Sequence, residues 1–291
     1  MYKKFINIFL LMVLLTAFAT VPVNADAAVG DTIISLGDNL TENEKQAILA
    51  EFRAPENAQM IVTTNAEEHK YLGDVIPASR IGNNAISSIM ITYTEKGSGL
   101  RVETSDKITY ITDENYINAL ITVGIEDADI KVTSPRNASG TAALTGIMKA
   151  YEVSTGEIID DELKKAANEE IIRTVELGEQ IGNERAIEVI NEIKKEIAKK
   201  NPQSTDEIKE IVNNIVNNNN INLSEEQIQQ LVSLFDKLKN LDIDWNKVSN
   251  QISNIGNKAA EFLSSEQGQG FLQRLKQFFN ALIDWIASFA K

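Results

Sequence analysis

The sequence predicts an α+β or α/β protein, with a mixed sheet and helices in the N-terminal half and an all-α helical region after it. Three observations carry this. Strand and helix signals interleave from Val29 to about Tyr151, the pattern of a layered sheet-and-helix domain rather than a bundle. From Gly156 onward strand signals vanish and helical periodicities follow one another. Every tyrosine after Tyr2, namely Tyr71, Tyr93, Tyr110, Tyr116 and Tyr151, lies in the first part, and aromatic residues favour strands. The expected organisation is a signal peptide over 1–27, an α/β domain over 28–155 and a helical domain over 156–291, with an Asn-rich linker near 217–222.

The elements follow in order. Asp31 to Leu36, with Thr32, Ile33 and Ile34, reads as a strand. Thr41-Glu42-Asn43-Glu44 is a capping box, in which hydroxyl and carboxylate each satisfy a free amide, and it opens a helix to about Phe52. Met60 to Thr63 is a second strand. Asn65 to Leu72 is a short helix with Asn65 as its cap, Glu68 three residues on and Gly73 after its end. Ile86 to Thr94 and Leu100 to Thr104 flank Glu95-Lys96-Gly97-Ser98-Gly99, which predicts a β-hairpin. Lys107 to Ile111 reads as a further strand, Thr112 caps a helix to about Val123, and Asp129 to Thr133 is a strand closed by Ser134-Pro135. Ser139-Gly140-Thr141 leads a helix from Ala142 to about Glu152.

The helical region begins with Asp160 to about Leu177. A second helix to about Lys200 carries Ala186, Val189, Ile190, Ile193 and Ile197 on one face, and Pro202 stops it. Ser204-Thr205-Asp206-Glu207 and Ser224-Glu225-Glu226-Gln227 are further capping boxes. Between their helices lies the run Asn217 to Asn220, a candidate hinge. Asp244 opens another helix, and the last runs from about Glu266 to Phe289.

Composition narrows the chemistry. The 291 residues include 28 Lys plus Arg, 42 Asp plus Glu, one His and no Cys, for a net charge of −14, and 43% are hydrophobic. That apolar share excludes wholesale disorder. The missing Cys excludes disulfides, thiol nucleophiles and thiolate metal sites. The negative balance argues against nucleic acid as a partner, since phosphate binding needs clustered Lys and Arg. Lys3 and Lys4, the apolar run Phe5 to Thr20 and the small residues of Val23-Asn24-Ala25 and Ala25-Asp26-Ala27 form a secretory leader with two cleavage sites. The same run kept uncleaved would be an anchor, although it is short of the about 20 residues a membrane helix needs. An exported protein of the extracellular or wall space is expected, without a transmembrane segment in the mature chain.

The first half also resembles a known family. The residues are Ser35-Leu36-Gly37 with Leu40-Thr41, Thr64-Asn65-Ala66-Glu67-Glu68 with Tyr71-Leu72-Gly73, Ile86-Ser87-Ser88, Gly99-Leu100, and Asn118-Ala119-Leu120 with Gly124-Ile125. The strongest stretch is Ser139-Gly140-Thr141-Ala142-Ala143-Leu144-Thr145-Gly146-Ile147 with Lys149-Ala150-Tyr151-Glu152. Together, over about residues 28–170, they resemble the exported firmicute proteins of domain-of-unknown-function family 1002. The resemblance implies a Gram-positive exported protein and implies no activity.

Residues able to do chemistry are sparse. His69 beside Glu67 and Glu68 has the side chain of a general base or metal ligand, but a single His without Cys completes no ordinary zinc set. No Gly-x-Ser-x-Gly elbow, Walker loop or Gly-x-Gly-x-x-Gly fingerprint occurs. Acid pairs such as Glu67/Glu68, Asp113/Glu114, Asp127/Asp129 and Asp160/Asp161/Glu162 are the material of a glycosidase, which needs two carboxyls about 5–10 Å apart, yet in so acidic a chain such pairs arise by chance. No cofactor, metal site or catalytic residue is assigned. Ser139, Gly140 and Thr141 fit two readings: ordinary capping with tight packing at Gly140, or a small anion or ligand pocket at a helix start.

The last helix is the other candidate. Phe271, Leu275, Phe278, Leu282, Trp285 and Phe289 recur at spacings of four and three, widened by Leu272, Phe279, Ile283 and Ile286. Such a face suits the core, a partner or self-association surface, or membrane adsorption. The expected function is a non-enzymatic binding protein whose partner is an envelope protein or a wall component. A carboxylate-dependent hydrolase of cell-wall polymers is the alternative.

Overall fold

The computed structural model describes residues 27–264 and Gln273. The leader up to Asp26 and the face formed by Phe271, Leu275, Phe278, Leu282, Trp285 and Phe289 lie outside the described residues.

The fold is α+β, as the pattern predicts. Strands β1 (Thr32–Gly37), β2 (Gln59–Thr63), β3 (Ser88–Tyr93), β4 (Leu100–Thr104) and β5 (Ala128–Thr133) form one mixed sheet in the order β2-β1-β3-β5-β4. The two outer pairs are parallel and the two inner pairs antiparallel. The register aligns Ile33, Ile91, Ile130 and Val102 across four strands. All four are buried on one face, in a core shared with α4 (Asp113–Thr122) and α5 (Thr141–Thr155). The row behind them runs Met60, Ile34, Met90, Lys131, Glu103. Its apolar middle lies under Ile48 and Phe52 of α1 (Glu42–Phe52), and its β4 end is polar.

The expected hairpin does not form. β5 inserts between β3 and β4, so that Ala128 faces Tyr93 on one side and Leu100 on the other. The gap is two strand spacings, about 10 Å, and residues 94–99 are long enough to straddle it. Asp127 holds both ends of the straddle: its carbonyl accepts from Thr94 N at 3.1 Å and its Oδ1 from Gly99 N at 2.6 Å. The strand expected at Lys107 to Ile111 is only an isolated bridge between Ile108 and Ala138. Ile108 N bonds back to Ser105 O at 3.0 Å, which turns the chain off the sheet edge.

Capping is as expected at Thr41 and Ser224, where both halves of the box form. For α2 (Asn65–Leu72) the cap sits one residue earlier than expected: Thr64 and Glu67 form the box, which frees Glu68 to point inward. Gly73 ends that helix in an ordinary right-handed conformation. A short turn of helix, α3, covers Ala78–Ile81.

Helices α6 (Asp161–Ile181), α7 (Asn183–Lys200), α8 (Thr205–Asn218), α9 (Glu225–Lys239) and α10 (Trp245–Ser264) follow among the described residues. Ala186, Ile190, Ile193 and Ile197 of α7 meet Ile208, Ile211 and Val212 of α8, and Phe235 and Leu238 of α9, in a second core. The Asn run closes α8: Asn219 Nδ2 donates to Ile215 O at 3.0 Å and to Glu192 at 2.7 Å, and Ile221 beyond it is buried. The two parts share apolar surface. Ala167, Ile171 and Val175 of α6 belong to the sheet's core, and Val248 and Ile252 of α10 pack on Ile121 of α4. No helix among the described residues is long and apolar enough to cross a membrane.

Candidate functional site

The Ser139-Gly140-Thr141 turn sits at the start of α5, inside the protein. Gly140 adopts φ 95°, and its carbonyl accepts the Tyr116 hydroxyl at 2.7 Å. A Cβ there would lie 2.3 Å from that oxygen and would also meet left-handed backbone strain, so only glycine fits. The Ser139 and Thr141 hydroxyls share a hydrogen bond of 2.9 Å, and Thr141 donates to Glu68 Oε1 at 2.8 Å. Ser87 Oγ accepts Ala143 N at 3.2 Å. The helix start, which attracts negative charge, therefore faces a carboxylate of the chain itself. Glu68 is buried, and burial pushes its carboxyl above the usual range against hydrogen bonds from Asn65 and Thr141.

His69 is half-buried and its Nε2 donates to Gly82 O at 3.0 Å, so the ring braces a loop. The acid pairs separate into individual structural roles. Asp113 Oδ1 accepts Thr104 N at 2.8 Å, Asp160 caps α6, and Asp161 holds Lys70 at 2.6 Å and Tyr71 at 3.0 Å. Among the described residues no group of three or more His, Asp or Glu could hold a metal ion.

The principal concavity lies elsewhere, where the sheet half meets the helical half. A groove of about 800 Å³ runs between Tyr93, Thr94, the α4–β5 turn at Gly124 to Asp127, and the α9–α10 connection at Asp242 to Val248. A second depression of about 560 Å³ shares Val123, Tyr151, Glu157, Leu163 and Asp242 with it and extends it past Ile158. The size falls in the range of pockets that bind ligands, about 300–1,000 Å³. Packing of α10 on α4 brings Asp242 and Asp244 into the same groove as Glu126 and Asp127.

Its lining combines apolar and acidic surface. Glu126, Asp127, Glu157, Asp160, Asp242 and Asp244 outnumber Lys96 and Lys247. Lys247 pairs with Glu126 at 3.0 Å and Asp244 caps α10 through Lys247 N at 3.0 Å. Tyr151 donates to Glu157 at 2.6 Å, and Tyr93 shares a short hydrogen bond with Ser154. Burial raises both phenols, that of Tyr93 to about 12, so both stay neutral. Thr94 Oγ1 is buried here with no hydrogen-bond partner in the protein. Val29, 64% exposed, and Ile158, 88% exposed, give the two depressions apolar rims. The groove escaped sequence reasoning because five separate chain segments build it. Its one local trace was the acids of Glu126-Asp127 and Asp242-x-Asp244 beside turns.

Fold and site together define an α+β protein with a helical second half and an acid-lined groove at the junction. The chain belongs to the family described as protein of unknown function (DUF1002), whose model matches residues 36–255. It is 47% identical to the uncharacterized protein YpuA of Bacillus subtilis (strain 168) over 268 residues, 92% of each chain. No solved structure matches it.

Proposed function

We propose that this chain is an exported, non-enzymatic binding protein of the extracellular or wall space, and that the junction groove receives a positively charged, partly apolar segment of an envelope protein. The observation that carries this is the composition of the groove and its extension: six carboxylates against two lysines, with exposed Val29 and Ile158 at their rims. Cations gain where carboxylates cluster in a cleft, because the low-dielectric walls focus the field. The lysine-poor face selects against acidic partners in the same way. Export rests on Lys3, Lys4 and the apolar run of the leader.

The test uses a photo-crosslinking residue at Asp242, in the groove, and a control at Lys209, on the exposed side of α8, in cells expressing the full chain. A discrete adduct from position 242 alone, lost in Glu126→Lys/Glu157→Lys, supports the reading. Equal adducts from both positions would reject it. So would clearing of cell walls by the purified chain that an acid-to-amide variant abolishes, which is the hydrolase outcome.

A further inference from the structure

A second, smaller cavity lies apart from the groove, and its charges differ. Helices α2, α5 and α6 enclose a crevice of about 110 Å³ lined by Glu67, Tyr71, Thr145, Lys149, Glu152 and Lys164, over Met148. At about 30 Å³ per water, it admits a molecule of only a few non-hydrogen atoms. Two carboxylates and two ammonium groups border it, so its formal charge is zero while both signs are present.

Each charge is fixed from behind. Glu67 accepts Lys149 at 2.6 Å and also the amide and hydroxyl of Thr64 at 2.8 and 2.9 Å. Lys149 also donates to Val62 O at 2.8 Å. Glu152 accepts Lys164 at 2.6 Å and Ile159 N at 2.9 Å. Lys164 stands 5.4 Å over the Tyr71 ring, whose hydroxyl Asp161 holds. Burial works against both Glu67 and Lys164, yet their bonds hold Glu67 below the usual carboxyl range and Lys164 above the usual lysine range, so both are charged at neutral pH. Groups locked this way need little reorganisation to meet a ligand.

One feature of the crevice is unexplained by folding. Thr145 is 4% exposed, and its hydroxyl has no hydrogen-bond partner in the protein. A buried hydroxyl without a partner costs about 1–3 kcal/mol, and Thr145 is one of the residues that line this cavity.

We propose that the crevice is a binding site for a small zwitterion, a free α-amino acid of the size of glycine or alanine. The lysines Lys149 and Lys164 meet its carboxylate, Glu67 and Glu152 meet its ammonium, and Thr145 Oγ1 gains the hydrogen bond it lacks. An anion or a cation alone would satisfy one sign and face repulsion from the other. The proposal is independent of the groove and of what enters it.

Calorimetric titration of the full chain with glycine, L-alanine and D-alanine tests it, with acetate and methylamine as single-charge controls. Saturable binding of at least one amino acid is expected, about tenfold tighter than either control. Thr145→Val removes no hydrogen bond within the protein, so it is expected to fold at least as stably and to weaken binding about tenfold. Lys149→Met is expected to abolish it. Absence of saturable binding by all three amino acids would overturn the proposal, as would binding unchanged in Thr145→Val and Lys149→Met or matched by acetate.

Discussion

Lys194 and Glu170 show what single residues do at the junction of the two halves. Both are fully buried, and they pair directly. Lys194 also donates to Asn118 O at 2.9 Å, and Glu170 accepts the Thr122 hydroxyl at 2.7 Å. Burial depresses the Lys194 ammonium, and Glu170 offsets only part of that. Removing one partner strands the other charge, so Lys194→Met is expected to lower unfolding free energy by about 3–5 kcal/mol, whereas Lys194→Met/Glu170→Leu recovers most of the loss. Urea denaturation of the two variants checks this, and equal loss in both would contradict it. Glu68 gives a pH signature. Its folded pKa is raised above the ordinary 4.5, so its contribution to stability is complete below that value and is lost as pH rises through the folded pKa. Glu68→Gln should therefore lack the gain that Glu68 contributes to the parent chain on acidification from neutrality to 4.5, as thermal melts of the two chains would read. Little of this was legible beforehand. The sequence drew attention to His69, and the inward residue is its neighbour; Lys194 and its partner carbonyl at Asn118 are far apart in the chain.

Helix starts were the most legible elements, because a capping box is a local pattern read over four residues. Thr41, Thr112, Ser204 and Ser224 all cap their helices, although the box expected at Ser204 is only half formed, because Glu207 accepts Gln203 N in place of Ser204 N. Where two boxes overlap, at Thr64-Asn65-Ala66-Glu67-Glu68, the pattern does not choose between them. The structure takes Thr64 and Glu67, because Glu68 is used inside against Thr141. Thr64→Ala is expected to cost about 1 kcal/mol in denaturant unfolding; no change would show that the box adds nothing. Strand partnership was the least legible. Turn residues at 95–99 describe a reversal of the chain, and a reversal is the same whether the strands pair or admit a third between them. The inserted position of β5 can be checked directly. Thr92 and Asp129 are register partners, within the about 5 Å that suits a disulfide. Thr92→Cys/Asp129→Cys should oxidise to an internal crosslink seen by mass, while Thr92→Cys/Arg101→Cys should not.

The described residues form a sheet half and a helical half joined by α6 and α10, and the loss of strand signals after Gly156 made that change readable. What the joining creates was not readable, since the groove draws on residues from Ala27 to Val248. The net charge of −14 by itself locates no site. In three dimensions part of it is gathered on two turns that line one groove, Glu126-Asp127 and Asp242 to Asp244, and that concentration supports reading the groove as a site for a cationic segment. Attraction of that kind weakens with salt as the Debye length falls from about 10 Å at 0.1 M to about 3 Å at 1 M. The central claim is tested most directly by titrating the isotope-labelled chain with a short peptide of alternating lysine and leucine and mapping the amide shifts. Perturbations confined to Thr94, Glu126, Asp127, Glu157 and Asp242, weakening as salt rises, are the predicted result. Shifts scattered over the acidic surface, or none at the groove while the peptide binds elsewhere, would contradict it.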